Sequence, residues 1–261
     1  MNIPSLAHQD DAVAIDQVIQ AGRVDLAAAH RLAVMHEFNE GIFNHLTMRV
    51  PGYDDRYFQI PFGTHWSEVK ASTFMEVSYD GERLSGEGEI EDTCHAIHAP
   101  IHRLIPDAVA VFHTHMPFAS ALTRLEDPRI LPIGQTELNI AAHSVYDKEY
   151  GGLIFETSEG EYIAKMLGGK PILFMSNHGV LVCGRSVAEA YDRLYYVERA
   201  AQAQLYAMWT GRPLKIIPEH VQEATMKEFK NYRQKGGKPN CEHHFAALKR
   251  ILDRQNSDHA D

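Results

Sequence analysis

Apolar positions recur at helical spacing near the start of the chain and predict two helices. The first would cover residues 12–21 and end at Gly22, because glycine favours helix termini. Asp25 is placed to cap a second helix that would continue to about Phe38. After Phe38 the pattern changes to alternating apolar and polar residues, which indicates strands.

Alternating or wholly apolar segments bounded by turn residues predict strands through the middle of the chain. The predicted strands cover residues 43–50, 57–60, 75–78, 108–115, 172–175 and 180–182. The sequence Asn177-His178-Gly179 lies between the last two of these strands. Asparagine and glycine are common turn residues, so we expect a tight turn at this point.

Two longer helical segments carry recognisable start signals. Thr93 is placed to cap a helix over residues 94–105, which Pro100 would kink. Ser186 is placed to cap a helix over residues 187–209, whose apolar residues form a single stripe. Both helices are therefore expected to flank the sheet.

The tail after Glu219 predicts two more helices, separated by a loop over residues 236–240. Together these elements predict one α/β domain over residues 1–215, in which helices flank a mostly antiparallel central sheet. A helical C-terminal extension would occupy residues 216–261.

The composition is that of an ordinary globular protein with an excess of negative charge. The 25 Lys and Arg residues are outnumbered by 35 Asp and Glu residues, which gives a formal charge of −10. This balance disfavours nucleic-acid binding through a broad basic surface. No stretch approaches the roughly 18 apolar residues that crossing a membrane requires. Three widely spaced cysteines disfavour a disulfide framework and favour a cytoplasmic location.

Histidine is frequent, with 16 residues, and three of them suggest a metal site. His113 and His115 lie two apart at the end of a predicted strand, so both side chains project from one face. Two imidazoles so placed can bind one divalent ion, and His178 at another strand end could supply a third ligand. The alternative is that these histidines only form hydrogen bonds with the backbone or with water.

The segments around these histidines resemble a known family. Ile105-Pro-Asp-Ala-Val-Ala-Val-Phe-His-Thr-His115, followed later by Ser176-Asn-His-Gly179, resembles the paired motifs of the class II aldolase/adducin family. The similarity extends over roughly Leu26 to Met208. Within it, the segment from Ile60 to Ser72 resembles the adducin branch more than the sugar-phosphate aldolases.

The resemblance implies a fold, a cofactor and an assembly. It implies a three-layer α/β/α domain in which His113, His115 and His178 hold one divalent metal ion. Zinc is the expected ion, with manganese or iron as alternatives. It also implies a cyclic homotetramer with sites near the subunit interfaces.

One departure from the family pattern concerns the acid/base group. The sugar-phosphate aldolases place a glutamate where this chain has Cys94, and a thiol has a reference pKa of about 8.5 against about 4.3 for glutamate. Cys94 is therefore a candidate catalytic residue or metal ligand only if a metal makes it a thiolate; otherwise it packs. His98 is a second candidate catalytic residue, with bracing of the site as its alternative role.

A second departure concerns the substrate pocket. The family's phosphate-binding positions fall on altered residues, and Asp92 brings a negative charge where a phosphate needs donors. The candidate substrate-binding residues are His45, Arg49, Gly63, Asp92 and Thr93. Arg49 could equally tether its strand. These changes disfavour a sugar-phosphate substrate.

Three functions remain open at this point. The first is a metal-dependent lyase that performs aldol cleavage or decarboxylation on a small, unphosphorylated hydroxy- or keto-acid. The second is a non-catalytic, adducin-like interaction module, and the third is a non-heme iron oxygenase. The retained histidine triad favours the lyase.

Overall fold

The computed structural model describes residues 6–231 and 237–261. The α-helices in these ranges are α1 (Leu6–Met35), α2 (Asp92–Leu104), α3 (Pro117–Leu122), α4 (Gln135–His143), α5 (Thr157–Leu167), α6 (Val187–Trp209), α7 (Glu219–Asn231) and α8 (Asn240–Arg254). The strands are β1 (His45–Arg49), β2 (Arg56–Gln59), β3 (Met75–Ser78), β4 (Arg83–Ser85), β5 (Ala110–Thr114), β6 (Ser144–Tyr146), β7 (Ile172–Phe174) and β8 (Val180–Gly184). Gly236, the first residue of the predicted C-terminal loop, lies outside the described ranges.

The N-terminal segment forms one continuous helix, α1, where two helices were predicted. Gly22 lies inside this helix rather than after its end. A Cβ atom at Gly22 would lie 2.5 Å from Cε of Met48 in β1, so the glycine lets the helix pack closely against the sheet. The predicted helix end at Gly22 and the predicted cap at Asp25 are therefore wrong.

The strands form one sheet in the order β4-β3-β2-β1-β5-β8-β7-β6. Strand β6 runs parallel to β7, whereas the other neighbouring strands pair antiparallel. The sheet is therefore mixed rather than mostly antiparallel as predicted, because β6 at its edge pairs parallel with β7. The cause is α5, which carries the chain from β6 back to the start of β7, so that the two strands run the same way.

Helices cover both faces of the sheet. Successive residues of β5 enter different cores: Phe112 packs in the core beneath α1 and α6, whereas Val111 packs beneath α2 and α5. This alternation is what a strand buried on both faces produces. The result is the three-layer α/β/α arrangement that the resemblance implies.

Helix α2 begins differently from the prediction. Its N-cap is Glu91, whose carboxylate accepts hydrogen bonds from the backbone N–H groups of Thr93 and Cys94. The predicted cap at Thr93 is therefore wrong. The helix then continues through Pro100 to its end.

The two helices predicted in the tail are present as α7 and α8. Phe245, Leu248 and Leu252 of α8 are buried in the same core as α1 and α6. This helix is therefore part of the main packing. In the two described ranges, no helix combines the length and the apolar character needed to cross a bilayer.

One buried histidine outside the candidate site should make stability depend on pH. His30 of α1 is fully buried against Trp66 and Phe74, and burial lowers its pKa from 6.5 to about 4. Between these two values the unfolded chain binds more protons than the folded protein, so stability falls as the pH falls through this window. We expect His30→Phe to reduce this acid loss by about 1–3 kcal/mol between pH 7 and pH 4.5, measured by urea unfolding.

The exposed His143 provides a control for this prediction. His143→Phe should leave the difference in unfolding free energy between the two pH values unchanged, because this side chain is exposed to solvent in the folded protein. Other buried histidines will still destabilise the His30 variant in acid. If His30→Phe lost as much stability between pH 7 and pH 4.5 as the wild type does, the assignment of this pH dependence to His30 would be contradicted.

Candidate metal centre

Three histidines meet at one end of the central strands. His113 lies in β5, His115 follows that strand, and His178 lies in the turn between β7 and β8. Because β5 and β8 pair antiparallel, with Thr114 opposite Val180, the end of β5 lies beside this turn. The ring centroids are 5.0, 4.8 and 4.7 Å apart. The structure therefore brings together the three residues predicted as metal ligands.

Hydrogen bonds determine which nitrogen of two rings faces the cluster. Nδ1 of His113 donates to the carbonyl oxygen of Val180 (3.0 Å), and Nδ1 of His115 donates to Oε2 of Glu40 (2.5 Å). Since these oxygens only accept, Nε2 of each neutral ring carries a lone pair. Nε2 of His115 is buried and has no hydrogen-bond partner among the described residues. A divalent ion between the rings would supply that partner, so the donor set fits a metal.

Burial favours the neutral forms of His113 and His178, and the neutral form is the one in which an imidazole binds a metal. It lowers the pKa of His113 well below its ordinary value, and the neighbouring His178 and His115 act in the same direction. Burial, with smaller contributions from His115 and His45, also lowers the pKa of His178 to about 4. Both rings can therefore offer a lone pair at neutral pH.

The turn that carries His178 depends on two backbone positions. Asn177 has a φ of 52°, in the left-handed region that asparagine tolerates better than most residues. A Cβ atom on Gly179 would lie 2.5 Å from the carbonyl oxygen of Thr114 and 2.6 Å from Cδ2 of His115. The glycine therefore permits the close contact between this turn and the end of β5.

Cys94 and His98 do not join the three-histidine cluster. They lie one turn apart on α2, and their ligand atoms group with that of His45 instead. His45 opens β1 directly opposite His113, so the two groups are neighbours. Burial raises the pKa of the Cys94 thiol well above its ordinary value, and Glu91 acts in the same direction. The thiol is therefore protonated at neutral pH unless a metal replaces the proton.

Glu91 is a candidate that sequence analysis missed in favour of Asp92. Its Oε2 lies 2.8 Å from Nε2 of His45. Burial alone would raise the pKa of Glu91, but His45 and the donors of Thr93 and Cys94 lower it to about 2. Glu91 is therefore ionised beside His45, whereas Asp92 is exposed. The position of Glu91 just before helix α2 could have identified it from the sequence, but the neighbouring residues fit the same N-capping pattern.

The remaining predicted substrate residues have different surroundings. The hydroxyl of Thr93 donates to Glu91 (2.8 Å), and Gly63 lies in an exposed loop. The guanidinium of Arg49 donates to the hydroxyl of Tyr79 (3.1 Å) and to the carbonyl oxygen of His102. These contacts fit the tethering alternative for Arg49, because they hold β1 against α2 and its neighbours.

A cleft of about 240 Å³ opens beside His178. Its wall includes polar groups from Asp147, Tyr150, Glu159 and Ser176. A small substrate could therefore reach the three-histidine cluster from this side and find hydrogen-bonding groups along the way.

Comparison with known proteins places this architecture in a family. The family model for the class II aldolase and adducin N-terminal domain matches residues 24–205. The chain belongs to the class II aldolase/adducin family. The resemblance found from its motifs is thereby confirmed.

Two bacterial family members are similar over nearly the whole chain. The crystal structure of an aldolase II superfamily protein from Pseudomonas syringae has a TM-score of 0.85 and 32% identity, covering 93% of this chain and 96% of its own. A Pseudomonas aeruginosa protein with a provisional aldolase class 2 name is 30% identical over 235 residues, 90% of each chain.

Other similar proteins have names that indicate different functions. Rat α-adducin is 30% identical over 212 residues, which are 79% of this chain and 28% of adducin. An L-fuculose 1-phosphate aldolase from Glaciozyma antarctica has the same fold, with a TM-score of 0.79 over 97% of this chain and 96% of its own, at 21% identity. Membership of the class II aldolase/adducin family therefore does not decide the activity. The activity has to be inferred from the residues of the candidate metal centre.

Proposed function

We propose that this family member is a divalent-metal-dependent lyase that performs aldol cleavage or decarboxylation on a small, unphosphorylated hydroxy- or keto-acid. The observation that supports the metal most is the buried, unpartnered Nε2 of His115, which faces His113 and His178. We expect one zinc ion at this cluster, with manganese or iron as alternatives.

The protein's own groups would position the ion and the substrate. A divalent ion there would supply a Lewis acid that polarises a substrate carbonyl and stabilises the negative charge left by C–C cleavage. Glu40 and the carbonyl of Val180 orient His115 and His113 by accepting from their outer nitrogens. The cleft beside His178 would give a small substrate room next to the cluster.

The altered pocket supports an unphosphorylated substrate. In the sugar-phosphate aldolases this region supplies hydrogen-bond donors, as the resemblance implies. Here the carboxylate of Glu91 is ionised and already engages the donors of His45 and Thr93. A phosphate would meet a negative charge where it needs donors.

A non-catalytic, adducin-like role is the second candidate, and the similarity to rat α-adducin supports it. The three-histidine cluster opposes it, because a scaffold has no need for three clustered imidazoles beside an open cleft. An oxygenase would require iron at the same cluster. The metal that the wild type binds and the His113→Ala/His115→Ala variant does not bind separates these candidates: zinc or manganese favours the lyase, iron favours the oxygenase, and no difference in a folded protein favours the scaffold.

Turnover assays of the zinc-loaded protein test the proposal. We expect it to cleave or decarboxylate at least one member of a panel of small hydroxy- and keto-acids, and to leave their phosphorylated counterparts unchanged. Released aldehyde and carbon dioxide would be measured. Turnover of the phosphorylated compounds alone would contradict the substrate class, and stoichiometric zinc without any turnover would contradict the lyase. We further propose a homotetramer, which the resemblance to the family implies, and a cytoplasmic location, which the three widely spaced cysteines favour.

A further inference from the structure

We propose that His45, Cys94 and His98 form a second metal site for a borderline-soft divalent cation such as Zn²⁺. One nitrogen of each histidine and the sulfur of Cys94 all lie within 4.8 Å of one another. Cys94 and His98 are 1% and 0% exposed, and the side chain of His45 is 10% exposed. The donors come from the start of β1 and from two successive turns of α2, so regular backbone holds them together.

A chain of hydrogen bonds determines the tautomer of His98. Nδ1 of His102 donates to the carbonyl oxygen of Ala108 (2.8 Å), so Nε2 of that buried, neutral ring accepts the hydroxyl proton of Thr47 (2.8 Å). Because the hydroxyl proton is used there, the oxygen of Thr47 accepts from Nδ1 of His98 (2.7 Å). Nε2 of His98 therefore carries a lone pair, and it is buried without a hydrogen-bond partner in the described part of the chain.

Glu91 determines the tautomer of His45 in the same way. Its ionised carboxylate can only accept, so in the neutral ring the proton lies on Nε2, 2.8 Å from Oε2 of Glu91. Nδ1, the other ring nitrogen of His45, is also buried with no partner among the residues described. Two buried nitrogens without hydrogen-bond partners thus lie in the same group as the thiol of Cys94.

A bound cation would give both buried nitrogens a partner, whereas the thiol of Cys94 alone cannot. The single thiol proton of Cys94 can satisfy at most one of the two nitrogens, and an unsatisfied buried acceptor is costly. On binding, the S–H bond breaks, one metal–sulfur and two metal–nitrogen bonds form, and the proton leaves to solvent. The thiolate and the carboxylate of Glu91 then balance the two positive charges of the cation.

The donor set separates this site from the three-histidine cluster. Two imidazoles and a thiolate favour zinc, cobalt or copper over magnesium or manganese, which prefer oxygen ligands. Glu91 and Thr47 hydrogen-bond the outer nitrogens of His45 and His98, as is usual around a bound metal. The inference goes beyond the proposed function, because it holds whether or not His113 and its neighbours bind an ion.

Titration of the full chain with cobalt(II) tests this site. A thiolate bound to cobalt absorbs strongly in the near ultraviolet by charge transfer, whereas imidazole ligands do not. We expect this absorption in the wild type and in the His113→Ala/His115→Ala double variant, and its loss in Cys94→Ser. Cys183→Ser is the matched control, because Cys183 is equally buried but lies in the sheet core away from this group. It should keep the absorption.

His45→Gln provides a second readout if Cys94→Ser fails to fold. It removes one ligand and keeps the thiol, so we expect cobalt affinity to fall by at least about 10-fold. The proposal is overturned if the wild type lacks the thiolate–cobalt absorption, if Cys94→Ser keeps it, or if His45→Gln binds cobalt as the wild type does. Loss of the absorption in the His113/His115 double variant would also overturn it, because Cys94 would then ligate the three-histidine ion. Loss of activity alone in that variant concerns only the proposed lyase.

Discussion

Replacing His113 and His115 together by alanine should remove one equivalent of bound divalent metal and reduce the proposed lyase activity to background. The double variant leaves His178 as the single imidazole of the cluster, whereas a catalytic zinc ion usually needs three protein ligands. Both changes lie at the end of β5, and neither alters the backbone pairing of that strand. The circular dichroism spectrum should therefore stay close to that of the wild type. Metal content by mass spectrometry and the turnover assay check the result.

Glu40→Gln should affect the same cluster less than this double variant does. The amide oxygen can still accept from Nδ1 of His115, but the negative charge behind the ring is lost. We expect the metal affinity of the three-histidine cluster to fall by about 10- to 100-fold, while this cluster still binds one equivalent at saturation. A double variant that keeps the full metal complement and full activity would show that the cluster is not the metal site.

Gly179→Ala should have the second-largest effect, although the residue has no side chain to take part in chemistry. The new Cβ atom would meet the carbonyl oxygen of Thr114 at 2.5 Å and the ring of His115 at 2.6 Å. Either the hairpin or the His115 ring has to move. We expect the free energy of unfolding to fall by about 1–3 kcal/mol and metal affinity to fall by about 10- to 100-fold. Urea unfolding and a zinc competition titration measure the two effects.

Gly151→Ala is the matched control for this change. Gly151 lines the cleft beside His178, has no positive φ, and leaves open space where a Cβ atom would be built. Its stability and metal affinity should equal those of the wild type. If Gly179→Ala behaved in the same way, the close contact between the turn and His115 would have no role in building the site.

The fold could largely be predicted where the pattern was local. The apolar run of β5 and the turn between β7 and β8 lie where the sequence places them, because periodicity and turn residues are short-range signals. Strand β6 was missed because it has only three residues and is stabilised by its parallel neighbour. Helix α1 was divided wrongly because Gly22 serves contact with Met48, and no local pattern reports such a contact.

The same difference between local patterns and long-range contacts explains how much of the candidate site could be predicted. His113 and His115 could be found from their spacing on one strand, and His178 from its turn. Glu40 could not, because it meets His115 across 75 residues of sequence, and Glu91 reaches His45 from another element. Cys94 was identified as the departure from the family, but only the structure shows that its neighbours are His45 and His98.

Anomalous diffraction from crystals of the zinc-loaded protein is the most direct test of the three-histidine site. We expect a zinc peak bonded to Nε2 of His113, Nε2 of His115 and a ring nitrogen of His178, each at about 2.0–2.1 Å. A map at saturating zinc with no peak between these three rings would contradict the central claim.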